Sequence, residues 1–136
     1  MAATFQNNGL NPLNQVILNK ATGAPWVMHL FTNVITPAVT DTVGSYTECV
    51  LSGYASTSLT GSSWTGSATA GTDTETYPSI TTTFASYAGG TTIYGYYITI
   101  TVSSTTYLLC SQNFASGYAV PSGGGSLVIN LTETLT

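Results

Sequence analysis

The chain has 136 residues, of which 4% are charged: one base, Lys20, and five acids, Asp41, Glu48, Asp73, Glu75 and Glu133. Ordinary soluble domains carry about 25% charged residues, so most groups used for acid/base catalysis, metal binding or phosphate binding are missing, and a chain with no Arg and a net charge of -4 excludes nucleic acid and anionic lipid as partners. A hydrophobic content of 43% excludes disorder, and the length suits one domain with a core of its own.

Residues 1–8 form a polar lead without the basic and apolar regions of a secretory signal, and no stretch reaches the ~20 apolar residues of a membrane span. The expectation is folding in the cytosol with no membrane partner. Residues 11–20 have the pattern of a short helix, with Asn11 as N-cap, Pro12 at the first helical position, and Leu10, Leu13 and Ile17 on one face. Gly23 can end it and Pro25 blocks continuation. The same residues also read as an extended arm that orders on a neighbour. Residues 1–24 thus form an N-terminal arm or helix ahead of a β domain spanning 25–136.

From Trp26 the period changes to two. Trp26, Met28 and Leu30 point one way and Val27, His29 and Phe31 the other, which marks a central strand or one with a face against another subunit. Residues 33–44, with Pro37 and Asp41, read as a loop, and 45–60 as a bent strand pair around Gly53 with Tyr54 and Leu59 in the core. Residues 65–76 carry Asp73 and Glu75 and almost no apolar side chain, the pattern of an exposed loop. Ile80, Thr82 and Phe84 alternate as a clean strand. Residues 91–102 are the strongest strand: Tyr94, Tyr96, Ile98, Ile100 and Val102 share one face, and Ile93, Tyr97, Thr99 and Thr101 the other.

Residues 103–105 then turn the chain into an antiparallel partner strand over 106–113. A brief strand at 118–120, a flexible turn at 121–125 and a closing strand at 126–134 with Leu127, Ile129 and Leu131 on one face complete the pattern. Short strands at this spacing, in a chain whose polar residues are mostly Thr, Ser, Gly and Asn, predict an all-β fold: an antiparallel β-sandwich or jelly roll with a short N-terminal helix or arm. The core set is Trp26, Leu30, Tyr54, Trp64, Phe84, Ile98, Ile100, Leu109, Ile129 and Leu131.

Candidate chemistry is sparse. His29 is the single histidine and lies mid-strand, so it reads as an ordinary strand residue rather than part of a catalytic site. Cys49 and Cys110 sit in apolar strand-like stretches: strands that face each other would allow a disulfide between them, while cytosolic synthesis favours two buried thiols. Asp73 and Glu75 offer too few oxygens for Ca²⁺, and no other metal-ligand spacing exists. Asn130-Leu131-Thr132 matches a glycosylation sequon by chance, within a strand. No catalytic, cofactor-binding or metal residue is assigned and no cofactor is implied. The expectation is a protein that is not an enzyme. Nine Tyr and two Trp suit core packing first, and sugar stacking or oligomer anchoring after that. The interface set is Leu10, Leu13, Ile17, Val27, Phe31, Tyr94 and Tyr97.

Leu30-Phe31-Thr32-Asn33-Val34-Ile35-Thr36-Pro37, then Tyr46-Thr47-Glu48, Gly53-Tyr54-Ala55, Leu59, Trp64 and Thr92-Ile93-Tyr94-Gly95-Tyr96-Tyr97-Ile98, resemble a pattern in small β-sandwich virion proteins of tailed bacteriophages. The resemblance runs from about Leu10 to Phe114. It implies a capsid cement, or decoration, protein on the outer capsid surface, made in the host cytoplasm, trimeric, with the major capsid protein as partner. A tail- or head-fibre module that binds receptor glycan is the alternative.

Overall fold

The computed structural model describes residues 3–18, 25–69, 72–86 and 89–135. It is an all-β antiparallel sandwich with one short N-terminal helix. In chain order the elements are β1 (Thr4–Phe5), α1 (Asn7–Ile17), β2 (Trp26–Phe31), β3 (Thr57–Leu59), β4 (Thr65–Thr69), β5 (Thr72–Thr76), β6 (Ile80–Phe84), β7 (Thr91–Val102), β8 (Thr105–Val120), β9 (Gly125–Ile129) and β10 (Thr132–Leu135). Three sheets result, ordered β1-β8-β7-β2-β3, β10-β5-β4 and β6-β9.

The hairpin of β7 and β8 is the spine. Ser103 and Ser104 form its two-residue turn, both with positive φ (49° and 67°), the backbone hand that matches the twist of paired strands. On one face of the large sheet, Met28, Leu30, Tyr96, Ile98, Ile100 and Val102 meet Ile80 and Phe84 of β6 and Ile129 of β9, which close the sandwich. Leu109 and Cys110 both join this core because a bulge between Ile98 and Thr99 leaves Leu109 as an extra residue on β8. Of the expected core residues, Leu30, Phe84, Ile98, Ile100, Leu109, Ile129 and Leu131 are buried, while Trp26, Tyr54 and Trp64 are half-buried and packed on the rim.

The opposite face is also filled. Phe31, Tyr46, Tyr97 and Leu108 form a second buried cluster, with Ile35, Val43 and Tyr94 packed against it, so the loop at 32–47 covers the second face. Phe31 lies over Gly95, where a Cβ would come within 2.7 Å of its ring.

The helix begins earlier than its pattern suggests. It starts at Asn7 rather than after Asn11, and Pro12 sits inside it, buried, where a proline forfeits a helical hydrogen bond. No side chain caps it; instead the Asn7 N–H donates to the Val39 carbonyl at 2.8 Å, while the N–H of Gly9 and of Leu10 return to Gln6. Gly9 makes the docking possible, because a Cβ there would lie 2.3 Å from the Leu108 carbonyl oxygen. Lys20 and Gly23 lie outside the described residues.

Four other expectations are corrected. Within 65–76 the described residues form not a loop but the antiparallel strands β4 and β5, with β10 beside β5. After a short 3-10 turn at Val43–Ser45, the segment from 45 to 60 holds a single bridge from Phe31 to Glu48 and β3, not a strand pair. An irregularity between Ile93 and Gly95 exchanges two side chains: Ile93 enters the main core and Tyr94 the second cluster, the reverse of strict alternation. The closing segment is two strands in two sheets, β9 and β10, rather than one.

Candidate functional site

The most connected group of polar side chains lies on the second face, where β2 and β7 present His29, Thr99 and Tyr97. Alternation in β2 turns His29 away from the aliphatic core, and its ring stacks on Tyr97 at 4.7 Å and 10°. His29 Nδ1 is 2.9 Å from Glu48 Oε1, and Nε2 is 3.1 Å from Thr99 Oγ1. The Tyr54 hydroxyl donates to the same Glu48 oxygen at 2.9 Å and accepts the Leu30 N–H at 3.0 Å. Burial, together with Glu48, pushes the Tyr54 hydroxyl far above the ordinary phenol range.

A second chain of hydrogen bonds adjoins the first through stacked rings, Tyr46 lying 5.2 Å from Tyr97. The Tyr46 hydroxyl donates to Asp41 Oδ2 at 2.8 Å, which leaves it to accept from Ser111 Oγ at 2.8 Å. Gln6 Nε2 in turn donates to Ser111 Oγ at 2.7 Å. All donors therefore point toward one carboxylate, and each bond polarises the next. The chain ties the N-terminal arm, β8 and the loop at 32–47 together.

Thr99, His29 and Glu48 stand in the order of hydroxyl, imidazole and carboxylate found in nucleophilic relays. The order alone does not make chemistry. Thr99 is 4% exposed, and its hydroxyl also reaches the Val27 carbonyl at 3.5 Å, so a substrate carbonyl has no approach to it. What this arrangement can do is hold β2, β7 and the segment carrying Glu48 and Tyr54 in register. Among the described residues, no group of three or more His, Cys, Asp or Glu side chains is placed to hold a metal ion.

The interface residues expected from sequence are scattered. Phe31 and Tyr97 are buried inside the chain's own second cluster and present no surface. Leu13 is half-buried against the main core, Val27 is half-buried on β2, and Tyr94 packs on the second cluster. Leu10 is exposed on α1, and the side chain of Ile17 lies outside the described residues. The two-sided apolarity of β2 therefore has an internal cause and by itself gives no ground for a neighbouring subunit. Exposed apolar side chains lie elsewhere: Leu18, Val39, Val128, and above all Val34 and Val50, at 81% and 93% exposure.

Sequence reasoning missed one further cluster. Cys110, free and buried, points its thiol toward Glu133 of β10, with Sγ 4.0 Å from Oε1. Burial raises the Glu133 carboxyl above its usual value, and burial followed by Glu133 raises the Cys110 thiol. Alternation through Leu127, Ile129 and Leu131 places Glu133 on their inward face, but a strand read as continuous from 126 to 134 gave no sign that Cys110 would meet it there. Cys49 is also a free, buried thiol.

Compared with known proteins, the chain matches no family model, no curated protein and no solved structure.

Proposed function

We propose that this protein is a virion structural protein, a capsid cement protein that binds the outer capsid lattice through the major capsid protein and stabilises it. The observation that carries the reading is the pairing of a charge content of 4% with a scaffold whose large sheet is filled on both faces. The filled scaffold supplies a rigid shape. The surface around it is rich in Thr, Ser, Gly and exposed Val, and lacks the like-charge repulsion that keeps soluble proteins apart. Such a surface suits a protein held among close neighbours, and a homo-oligomer, trimeric by closed cyclic symmetry, is the matching assembly.

A protein that binds only the assembled lattice stabilises it by mass action. The chemistry needed is complementary shape and neutral hydrogen bonding, with no reacting group. The test is stoichiometry. Mass spectrometry of purified particles should find hundreds of copies in fixed ratio to the major capsid protein, and particles stripped of the protein should regain heat resistance when it is added back. A few copies per particle, retained on a tail or fibre, would instead support a receptor-binding fibre module and overturn the cement role.

A further inference from the structure

The inward-facing carboxylate of Glu133 supports an inference independent of the cement reading. We propose that β10 is a pH-operated latch: with Glu133 protonated the C-terminal strand closes over Cys110 and Tyr96, and ionisation of Glu133 loosens it.

The groups facing Glu133 come from three elements. On β8, the Cys110 thiol lies 4.0 Å from Oε1, and a thiol is a weak donor set against a carboxylate that can accept several bonds. On β7, the hydroxyl of Tyr96 donates to Gln112 Oε1 and so is committed elsewhere. On β5, Glu75 stands directly opposite Glu133 in the antiparallel register. Glu75 keeps its carboxyl clear by lying over Gly66 of β4, where a Cβ would come within 2.8 Å of its Cδ. Gly66 thus provides the room that separates two like charges on neighbouring strands. Among the described residues no Lys or Arg side chain offsets them, and the ion pair there is that of His29 with Glu48, on the other face of the sheet.

A half-buried acid with a weak donor and a like charge across the strand is most stable when it carries a proton. The burial of Glu133 raises its carboxyl in the folded chain. The folded state therefore binds more protons than the unfolded or unlatched state once pH exceeds the ordinary glutamate value of about 4.3. The latch's stability is fully present below that value and is lost as pH rises through the raised one. The position of β10 lets this act locally, because its ladder joins it to β5 while Cys110 lies beneath in the large sheet.

Two measurements on the full chain test this. The first is labelling of Cys110 by 4,4′-dithiodipyridine in the Cys49→Ser background from pH 4 to pH 8, normalised at each pH to the urea-unfolded chain. Accessibility should rise several-fold with pH, and Glu133→Gln should hold it at the acid level throughout. The same pH dependence in Glu133→Gln as in the parent overturns the latch. The second needs no substitution: carboxyl ¹³C resonances of the native chain should place the Glu133 midpoint above the ordinary value, and amide exchange in β10 should accelerate through that same midpoint. A Glu133 midpoint at or below about 4.3, or β10 exchange indifferent to it, overturns the proposal even if the variant fails to fold.

Discussion

Both faces of the large sheet are filled, the first with many more buried side chains than the second, and by different means. One face is aliphatic: Met28, Leu30, Ile98 and Ile100 are held by close packing against β6 and β9, and their stability comes from area removed from water. The other is aromatic and polar, where Phe31, Tyr46 and Tyr97 stack beside His29, Thr99 and Ser111, and each buried polar group needs its partner. The first face tolerates changes of shape poorly. The second tolerates the loss of a hydrogen-bond partner poorly, because the remaining partner stays buried without one.

The largest expected effect is at Phe31. If the second face is a true core, Phe31→Ala should cost about 3–5 kcal/mol in urea unfolding, as much as or more than the ~2–5 kcal/mol of Ile98→Ala on the aliphatic face. A loss below about 1 kcal/mol for Phe31→Ala would show that the loop at 32–47 is a loose cover, and the comparison would break. Tyr54→Phe sharpens the contrast, since it preserves shape while depriving Glu48 of a donor and the Leu30 N–H of its acceptor. It should cost about 1.5–3 kcal/mol. A neutral outcome would mean that the polar tie contributes nothing to holding the strands.

Alkaline pH tests the burial of the second face in another way. Burial pushes the hydroxyls of Tyr46 and Tyr97 up to about 12, with Glu48 adding to the shift at Tyr97. Both stay neutral in the folded chain where an unfolded tyrosine ionises near 10, so their contribution is intact below about 10 and is lost as pH rises from 10 through 12. Absorbance at 295 nm should show a late-ionising class of tyrosines, reduced by one in Tyr46→Phe. Uniform titration of all nine tyrosines near 10 would contradict burial of the second face. The smallest effect is at the surface, where Val50→Thr should change stability by less than about 0.5 kcal/mol. In the proposed role the same substitution, made together with Val34→Thr, is better read by binding to stripped particles, where a measurable loss marks that surface as the contact.

Where strands were legible, the reason was local. β2, β6 and the hairpin of β7 and β8 follow from alternation of apolar and β-branched residues over five or more positions, which an extended chain alone can place on one face. Even the bulged middle of β8 left a trace: 106–113 and 118–120 read as separate strands, and the stretch between them, 114–117, is the longest part of β8 with no partner on β7 in the register. The buried Cys110 and the mid-strand place of His29 were legible for the same reason.

The remainder was decided by contacts between distant parts of the chain. The antiparallel pair of β4 and β5 lacks an apolar face and becomes a sheet through cross-strand pairing of Thr residues and the arrival of β10. Helix α1 starts at Asn7 because a carbonyl from residue 39 and a clear path for Gly9 over Leu108 are available, neither of which has a signature near residue 7. The apolar second face of β2 read equally as a central strand or as an intersubunit surface, because periodicity reports that a side chain is buried and not what buries it. Likewise Glu48 and Glu133 are the same residue type on strand-like segments, yet one receives an imidazole and a phenol and the other a thiol. Which partner each carboxylate meets depends on sheet order and register, and those are set by the whole fold.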